Sequence, residues 1–442
     1  MEKKTTPPLS VETSRFETKV AKLPTHHNRI DALPRSLMPY VRECVELTEA
    51  VVHPHVVELV QLMRGHFIED LSQKHPLRRI YSARSMASPQ GILRRLLTKR
   101  PLAFYGGDDV WMLDKKRHGA GGWEHVGTED EEKPLLARDY LSYEEACVSA
   151  LVNLCGPTIF VNDGARDNSG RKGRPGSFER RGIMMGAVGA RLEKRGVMEY
   201  AHLVVDPKQN VAGNGYGPGG GDDDARRRMA MWARFYGHEG GHFPLHRGLS
   251  LGSRYVRVKG GRYLDKVGYA KRMTMALEPV FDRAIAHAQR IGKRAWVRLT
   301  GLGLGVWVLD KRLQAGIIAR VAGSIVRKRD PRAASISGVE FLWYAESDAE
   351  RRTLASLFGA SKWPKGVVLF SKTEPSAPLP HPHTTFLFAT FAWDGLSFVG
   401  NEYWDDALTA SGDPAAACSS IIPQTMNPRI NMLLAKRDVR VC

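Results

Sequence analysis

Apolar residues recur at helical spacing between about residues 38 and 74, where valine and leucine return every third or fourth position. Pro54 interrupts the run, so the pattern predicts two helices. The residues before them are rich in proline, threonine and charge, a composition that predicts a flexible lead-in. The predicted organisation is a lead-in over 1–36, N-terminal helices over 37–75 and one larger domain over 76–435.

Strand and helix patterns alternate through the rest of the chain. The predicted helices cover 269–293 and 311–328, and the predicted strands lie at the start of 157–173 and over 181–191, 200–207, 294–300, 338–345, 366–370 and 385–393. Alternation of this kind predicts an α/β fold in which helices cover both faces of a sheet.

The last of these strands leads into an acidic loop. Asp394, Glu402 and Asp413 follow it within one short segment. Ligand sites of α/β proteins lie at strand ends, and neighbouring carboxylates there suit acid and base chemistry on a glycosidic bond. Trp393 and the other aromatic residues of the segment add apolar surface that perturbs carboxylate pKa values and stacks on a base or a ribose.

We predict that these three acids are catalytic, although each has a structural alternative. Asp394 could form an Asx-turn and Glu402 could be solvated. Asp413 could be the N-cap of a helix whose first residue is Pro414.

A glycine-rich loop, GLGLGVW at 301–307, lies between a predicted strand and a predicted helix. Glycines let backbone N–H groups approach an anion, and a pyrophosphate would suit the loop, but a tight strand-to-helix turn is the alternative. The loop lacks the G-x-G-x-x-G spacing, which argues against a dinucleotide site of the Rossmann type. Asn162, Asp163 and Arg166 follow an earlier strand and would either contact a ribose or adenine or form a turn. The predicted ligand-binding residues are Gly301, Gly303, Leu304, Gly305, Val306, Trp307, Trp393, Asn401, Asn162 and Asp163.

The sequence His238-Glu239-Gly240-Gly241-His242 matches the H-E-x-x-H pattern of zinc proteases. Two glycines inside the motif and a proline at 244 oppose the helix that would bring both histidines to one face. We therefore predict no metal site.

Composition narrows the class of partner. Lys and Arg number 65 against 47 Asp and Glu, a formal charge of +18 that favours an acidic or phosphate-bearing partner. The basic runs are scattered and carry no nucleic-acid fold signature, so nucleic acid is not predicted as the ligand.

The five cysteines have no C-x-x-C spacing, which fits a reducing compartment. Without an apolar leader or an 18-residue apolar run we expect a soluble, cytoplasmic protein with no membrane partner, although a translocated effector would leave the same trace.

Several motifs in order resemble one known family. They are PTIFVNDGARDNSGRKG (157–173), GSFERRGIMMGAVGARLEKRGVMEY (176–200), TGLGLGVW (300–307), WDGLSFVGNEYW (393–404) and SGDPAAACSSIIPQTMNPRIN (411–431). They resemble the macrodomain-like family typified by the Legionella effector MavL, over roughly residues 75–435, and the last block is the most specific. The resemblance implies a macrodomain-like mixed sheet flanked by helices, with an N-terminal helical extension. It also implies that ADP-ribose is the ligand and product, that no further cofactor is used, and that ADP-ribose is removed from arginine, with modified ubiquitin as a substrate.

The order of the motifs differs from that of ordinary macrodomains. Here the segment similar to the catalytic loop (394–404) follows the segment similar to the phosphate loop (301–307), which implies a circularly permuted order. Acids replace the usual amides, because AWDG and VGNE stand where the asparagine pair and triple glycine would be. We therefore predict an ADP-ribosylhydrolase that cleaves the N-glycosidic bond between ADP-ribose and arginine of a modified protein. The alternative is a non-catalytic module that binds ADP-ribose or an ADP-ribosylated protein, for which carboxylates beside a dianionic ligand would bring no benefit.

Overall fold

A mixed eight-stranded sheet organises the chain, which the computed structural model describes over residues 26–105, 109–114, 116–219, 223–410 and 412–442. The strands are β1 (Glu49–Val52), β2 (Ala103–Tyr105), β3 (Val110–Asp114), β4 (Arg117–Ala120), β5 (Asn153–Ile159), β6 (Arg181–Ala187), β7 (Val204–Val205), β8 (Tyr255–Val258), β9 (Arg262–Asp265), β10 (Arg294–Leu299), β11 (Ile336–Leu342), β12 (Val367–Ser371), β13 (Thr385–Ala392) and β14 (Arg440–Val441). The α-helices are α1 (Met38–Leu47), α2 (Pro54–Glu69), α3 (Pro76–Tyr81), α4 (Pro89–Thr98), α5 (Tyr143–Ser149), α6 (Glu199–Leu203), α7 (Asp223–Phe235), α8 (Lys266–Ile291), α9 (Lys311–Lys328), α10 (Asp348–Phe358), α11 (Asp413–Ser419), α12 (Ile422–Thr425) and α13 (Met432–Lys436).

The topology of the large sheet decides where a ligand site forms. Its strand order is β12–β11–β10–β13–β6–β5–β1–β14, and the five strands from β12 to β6 are parallel. The strand β5 is antiparallel to β6, and β1 is antiparallel to β5. Because the five parallel strands end at the same edge, the loops after them meet there, which is the usual place for a ligand in an open α/β sheet.

Two small sheets complete the described strands. The strands β2, β3 and β4 form one antiparallel three-stranded sheet, and β7, β9 and β8 form the other. The first of them lies beside the loop after β13 and contributes to the site described below.

The helix predicted over 311–328 is α9, whereas the one predicted over 269–293 is α8, which begins three residues earlier and ends two residues earlier. The side chain of Asp265 caps α8 by accepting from the N–H groups of Val267 and Gly268, and Gly292 ends the helix in the left-handed conformation. The Asp310 side chain caps α9 by accepting from Leu313 N at 3.0 Å. The strands β10 and β13 are buried along nearly their whole length, so both faces of the sheet are covered. The predicted α/β sheet with flanking helices is confirmed.

Two predicted segments differ from the structure. Between the two N-terminal helices lies the strand β1, in which Val51 and Val52 are fully buried and pair with β5 and β14. The stretch predicted as a strand over 200–207 is a strand only at β7 (Val204–Val205), because residues 200–203 belong to the helix α6. The buried Glu199 carboxylate at its start binds Arg272 of α8 at 2.7 Å, and this tertiary contact overrides the local strand preference.

The N-terminal part of the chain is only partly described. Residues 1–25 of the predicted lead-in lie outside the described residues. The next residues contact the C-terminal segment, since Ile30 N donates to Gln424 Oε1 at 2.7 Å and Ile30 is buried.

All five cysteines are free thiols. Among the described helices, none combines the length and the apolar character needed to cross a bilayer.

Candidate active site

A cleft of about 920 Å³ opens at the carboxyl edge of the sheet. Its walls come from the loops after β5, β6, β13, β10, β11 and β12, together with the end of β2 and the start of α11. Both segments on which the sequence analysis depended, the acidic loop and the glycine loop, therefore meet in one cavity.

The Asp394 carboxylate is held by its own loop. Its Oδ1 atom accepts from Leu396 N at 2.7 Å and Ser397 N at 3.0 Å, and its Oδ2 atom accepts from Ser397 Oγ at 2.8 Å. This is the Asx-turn that the sequence left as an alternative. Because Asp394 also lines the cleft, the turn fixes the carboxylate there and does not exclude a role in chemistry.

Asp413 connects the start of α11 to the acidic loop by a hydrogen bond. It is the first residue of α11 and not the predicted N-cap, because Gly412 occupies the cap position with a φ of 81° that glycine adopts readily. The Asp413 Oδ2 atom accepts from Gly400 N at 2.9 Å, and the residue is 4% exposed. Asp413 thus lines the same cleft as Asp394.

Glu402 lies on a short 3₁₀ turn, Asn401–Asp405, that is hydrogen-bonded to the strand β2. The Asn401 side chain accepts from Phe104 N at 2.9 Å and donates to Phe104 O at 3.2 Å, so its amide pairs with β2 as a neighbouring strand would. Asn401 lines the cleft, but these contacts occupy its amide group. Glu402, next to it, is partly buried in the cleft wall.

The three carboxyl groups perturb one another. Burial raises the pKa of Asp413 well above its usual range, and the charges of Asp394 and Glu402 raise it further. Burial, together with the charge of Asp394, raises the pKa of Glu402 to about 7. Burial also raises the pKa of Asp394, which its hydrogen bonds to Ser397 and Leu396 and the charge of Arg100 oppose. Glu402 therefore exchanges its proton near neutral pH, where a general base is most effective.

All six predicted residues of the glycine loop line the cleft, as does Trp393. The loop after β6 packs against it so closely that a Cβ on Gly189 would lie 2.1 Å from Gly303 N. Gly303 itself has a φ of 69°, which favours glycine. A hydrogen bond from Leu192 N to Trp307 O at 3.0 Å joins the two loops again. The glycine loop is thus held from one side, while its other side faces the cavity.

Asn162 and Asp163 do not line the cleft. Asn162 is buried, donates to Asn168 Oδ1 at 3.1 Å and to Arg171 O at 2.9 Å, and accepts from Gly164 N at 3.0 Å. The Asp163 side chain accepts from Ala165 N at 3.1 Å. These contacts shape the turn whose next residues, 164–167, form part of the wall.

Sequence reasoning missed two residues of the site. Arg100 ends the basic run RRLLTKR (94–100), to which the sequence assigns no role, and its guanidinium lies 4.4 Å from the centre of the Trp393 ring. Trp343 follows β11 at the rim of the cleft, 47% exposed and with a φ of 65°, which is strained for a non-glycine residue. Trp343 was missed because it lies inside the strand predicted over 338–345, which ends at Leu342 in the structure, and the sequence offers no signal that separates Arg100 from its basic neighbours.

The H-E-x-x-H match does not form a zinc-binding helix. Gly240 has a φ of 74°, which breaks the 3₁₀ turn in the middle of the motif. His238 Nε2 lies 3.2 Å from the Asp265 carboxylate, the same group that caps α8. In the ranges that the structure describes, no group of three His, Cys, Asp or Glu side chains is arranged to hold a metal ion.

Comparison with known proteins places the chain in a family of hydrolases. The model of a family described as MavL-like ADP-ribosylhydrolases matches residues 12–442. The ADP-ribosylarginine hydrolase CG2909 of Drosophila melanogaster is 32% identical over 354 residues, which cover 77% of this chain and 69% of that protein. The ADP-ribosylarginine hydrolase CG3568 of the same organism is 28% identical over 443 residues, covering 96% of this chain and 84% of that protein.

Proposed function

The chain belongs to the MavL-like ADP-ribosylhydrolase family, and from this membership we propose that it hydrolyses the N-glycosidic bond between ADP-ribose and an arginine side chain of a modified protein. The observation that carries the proposal is the meeting of three mutually perturbed carboxyl groups and a glycine loop in one cleft. The carboxyl groups supply acid and base chemistry, and the glycine loop presents backbone close to an anion.

The order of features along the sheet edge matches the order of groups in ADP-ribose. The carboxylates follow β13, the glycine loop follows the adjacent β10, and Trp343 follows the next strand, β11. Adjacent strands lie about 4.8 Å apart, so the outer features are roughly 10 Å apart along the edge. We therefore place the distal ribose at the acids, the diphosphate at the glycine loop and the adenine on Trp343.

The reaction needs one bond to break and one proton to move. The bond between C1″ and the guanidinium nitrogen breaks, its electron pair stays on nitrogen, and water adds to C1″. We assign Glu402 as the group that takes the proton of the water and returns it to the leaving guanidine, because its pKa of about 7 suits both steps. Asp394 stabilises the positive charge that develops on the sugar, and protonated Asp413 donates to a ribose hydroxyl.

We also propose that the fold is macrodomain-like with a circularly permuted order. The mixed sheet with flanking helices supports this, as does the position of the glycine loop, which precedes the acidic loop in the chain although the two follow adjacent strands. The protein target is proposed only as an arginine-modified protein, with modified ubiquitin as one candidate.

The test is a comparison of linkages. Purified full-length protein is incubated with synthetic peptides that carry ADP-ribose on arginine, on serine or on glutamate, and free ADP-ribose is followed by mass spectrometry. We expect release from the arginine peptide and much slower release from the others. Tight binding of ADP-ribose without release from any peptide would instead indicate the non-catalytic binding module.

A further inference from the structure

We propose that Arg100 is a positioning residue of the reaction, whose buried guanidinium holds Trp393 and keeps the Asp394 carboxylate ionised. This inference rests on the proposed function, since it concerns the ionisation of a proposed catalytic group. Its test nevertheless includes a measurement on Asp394 that does not require turnover.

The contacts of Arg100 fix the position of its charge. The residue is 1% exposed, with Nε donating to Leu96 O at 2.8 Å and Nη2 donating to Ser149 O at 3.0 Å. Its guanidinium carbon lies 4.4 Å from the centre of the ring of Trp393, the residue immediately before Asp394. A cation over an aromatic face is attracted by the electron-rich ring, so Arg100 and Trp393 orient each other.

The charge of Arg100 is not neutralised by a contacting carboxylate in the described part of the chain, where its hydrogen bonds go to backbone carbonyls. Burial lowers the pKa of Arg100 to about 9, and the charge of Asp394 opposes that effect, so the side chain is a cation at neutral pH. A buried cation without a direct ion pair is costly, and Nη1 of Arg100 also lacks a hydrogen-bond partner among the described residues. This unfavourable burial of a cation occurs beside the cluster of acids, where a positive charge favours an ionised carboxylate.

The surroundings of Asp394 explain why such a cation is needed. Glu402 and Asp413 line the same cleft, and the charge of Asp394 raises the pKa of both, so the negative charges of the three acids oppose one another. Another cation lies close by, since Arg429 donates through Nη2 to Arg100 O at 3.2 Å and lies 4.8 Å from the centre of the Phe398 ring. Three acids that interact titrate as a unit, so loss of the Arg100 charge raises the apparent pKa values of the whole cluster.

The experiment measures kcat/KM against pH for the wild type, Arg100→Met and Arg100→Lys, with Ser149→Ala as control. The Ser149 hydroxyl donates to Gly395 O at 2.7 Å, so the control loosens the same loop without changing a charge. We expect Arg100→Met to move the acidic limb of the profile to higher pH by about one unit, since an opposite charge nearby shifts a carboxyl pKa by that much or more. Arg100→Lys should restore part of the shift, and Ser149→Ala should leave the midpoint unchanged. A lower rate with an unchanged midpoint in Arg100→Met would overturn the proposal.

A second measurement protects the test from failures of folding or turnover. If Arg100→Met does not fold, Arg100→Gln takes its place, with thermal melting to establish that it is folded. If the wild type releases no ADP-ribose, the proposed function fails while the inference on Arg100 stays testable. In that case the Asp394 carboxyl carbon is titrated by ¹³C NMR in the wild type and in the Arg100 variant, and its signal is assigned by its loss in Asp394→Asn. An Asp394 titration that is identical in the two proteins would contradict the inference.

Discussion

The side chain of Asn401 pairs with the backbone of Phe104, accepting from its N–H at 2.9 Å and donating to its carbonyl at 3.2 Å. One asparagine therefore joins the acidic loop to the end of β2 through both of its polar groups. Because Glu402 is the next residue, the pairing determines how the carboxyl group of Glu402 enters the cleft.

Asn401→Ala should reduce both stability and turnover. The substitution leaves the buried Phe104 N–H and carbonyl unpaired, which costs about 1–3 kcal/mol, and it releases the turn that carries Glu402. Urea unfolding and kcat measure the two effects. As a control, Asn214→Ala removes an asparagine whose side chain donates to Gln209 O on the surface, away from the cleft, and should change neither. Wild-type stability of Asn401→Ala would show that the pairing is dispensable.

Gly189→Ala should weaken the binding of ADP-ribose. The new Cβ would lie 2.1 Å from Gly303 N and 2.3 Å from the carbonyl carbon of Leu302, so the glycine loop must move. We expect the Kd to rise at least about tenfold, which corresponds to about 1.4 kcal/mol. Isothermal titration calorimetry gives the Kd. A matched control is Gly213→Ala, at an exposed glycine where a Cβ meets no atom within 4 Å. Equal affinity of the two variants would refute the close approach of the loops.

Much of the central sheet could be predicted from the sequence, because its strands are buried on both faces and read as continuous apolar runs. The helix predicted over 311–328 matches α9, and the strand predicted over 294–300 matches β10 to within one residue. The strand β1 was missed because it is only four residues long and lies between two helices, too short for an alternating pattern to appear.

The candidate site was predictable only where its residues follow a strand whose end the sequence locates, which was not so for Trp343 after β11. The acids and the glycine loop were found because each comes after a strong strand pattern. Arg100 was not found, because the sequence of its basic run does not show which arginines are buried. In the structure Arg94 forms an exposed pair with Asp438, whereas Arg95 is buried against Glu145. Which of these arginines faces the acids depends on how α4 packs, and that is a tertiary property.

Glu402→Gln should abolish hydrolysis and increase stability at alkaline pH. As a base, Glu402 must be ionised, so wild-type activity should be lost as the pH falls through about 7, the raised pKa of Glu402. The same shift has the opposite consequence for stability. A carboxyl group whose folded pKa lies above its unfolded value holds more protons when folded, so the wild type loses stability as the pH rises from the unfolded value towards 7.

A glutamine side chain does not titrate, so it adds no such pH dependence to the free energy of unfolding. Thermal melting at pH 5 and pH 8 should therefore show a smaller decrease for Glu402→Gln than for the wild type. Wild-type turnover in this variant would exclude Glu402 as the base, and identical pH dependence of melting would exclude the raised pKa.

Trp343→Ala should weaken the binding of ADP-ribose and of ADP to a similar extent, while ribose 5-phosphate should be unaffected. Stacking of a base on an aromatic side chain is worth about 1–3 kcal/mol, or roughly 5–150-fold in Kd. Val367→Ala removes another exposed apolar side chain on the neighbouring strand β12, outside the cleft, and serves as control. An unchanged Kd for ADP in Trp343→Ala would place the adenine elsewhere.

The most direct measurement of the central claim is the rate of ADP-ribose release from an arginine-ADP-ribosylated peptide by the wild type and by Asp394→Asn, with the Kd for ADP-ribose determined for both. Asparagine keeps the shape of the turn but not the charge, so we expect release to slow by at least about a hundredfold while the Kd stays within a few-fold of the wild type. Undiminished release by Asp394→Asn, or no release by the wild type, would contradict the account of a carboxylate-driven ADP-ribosylarginine hydrolase.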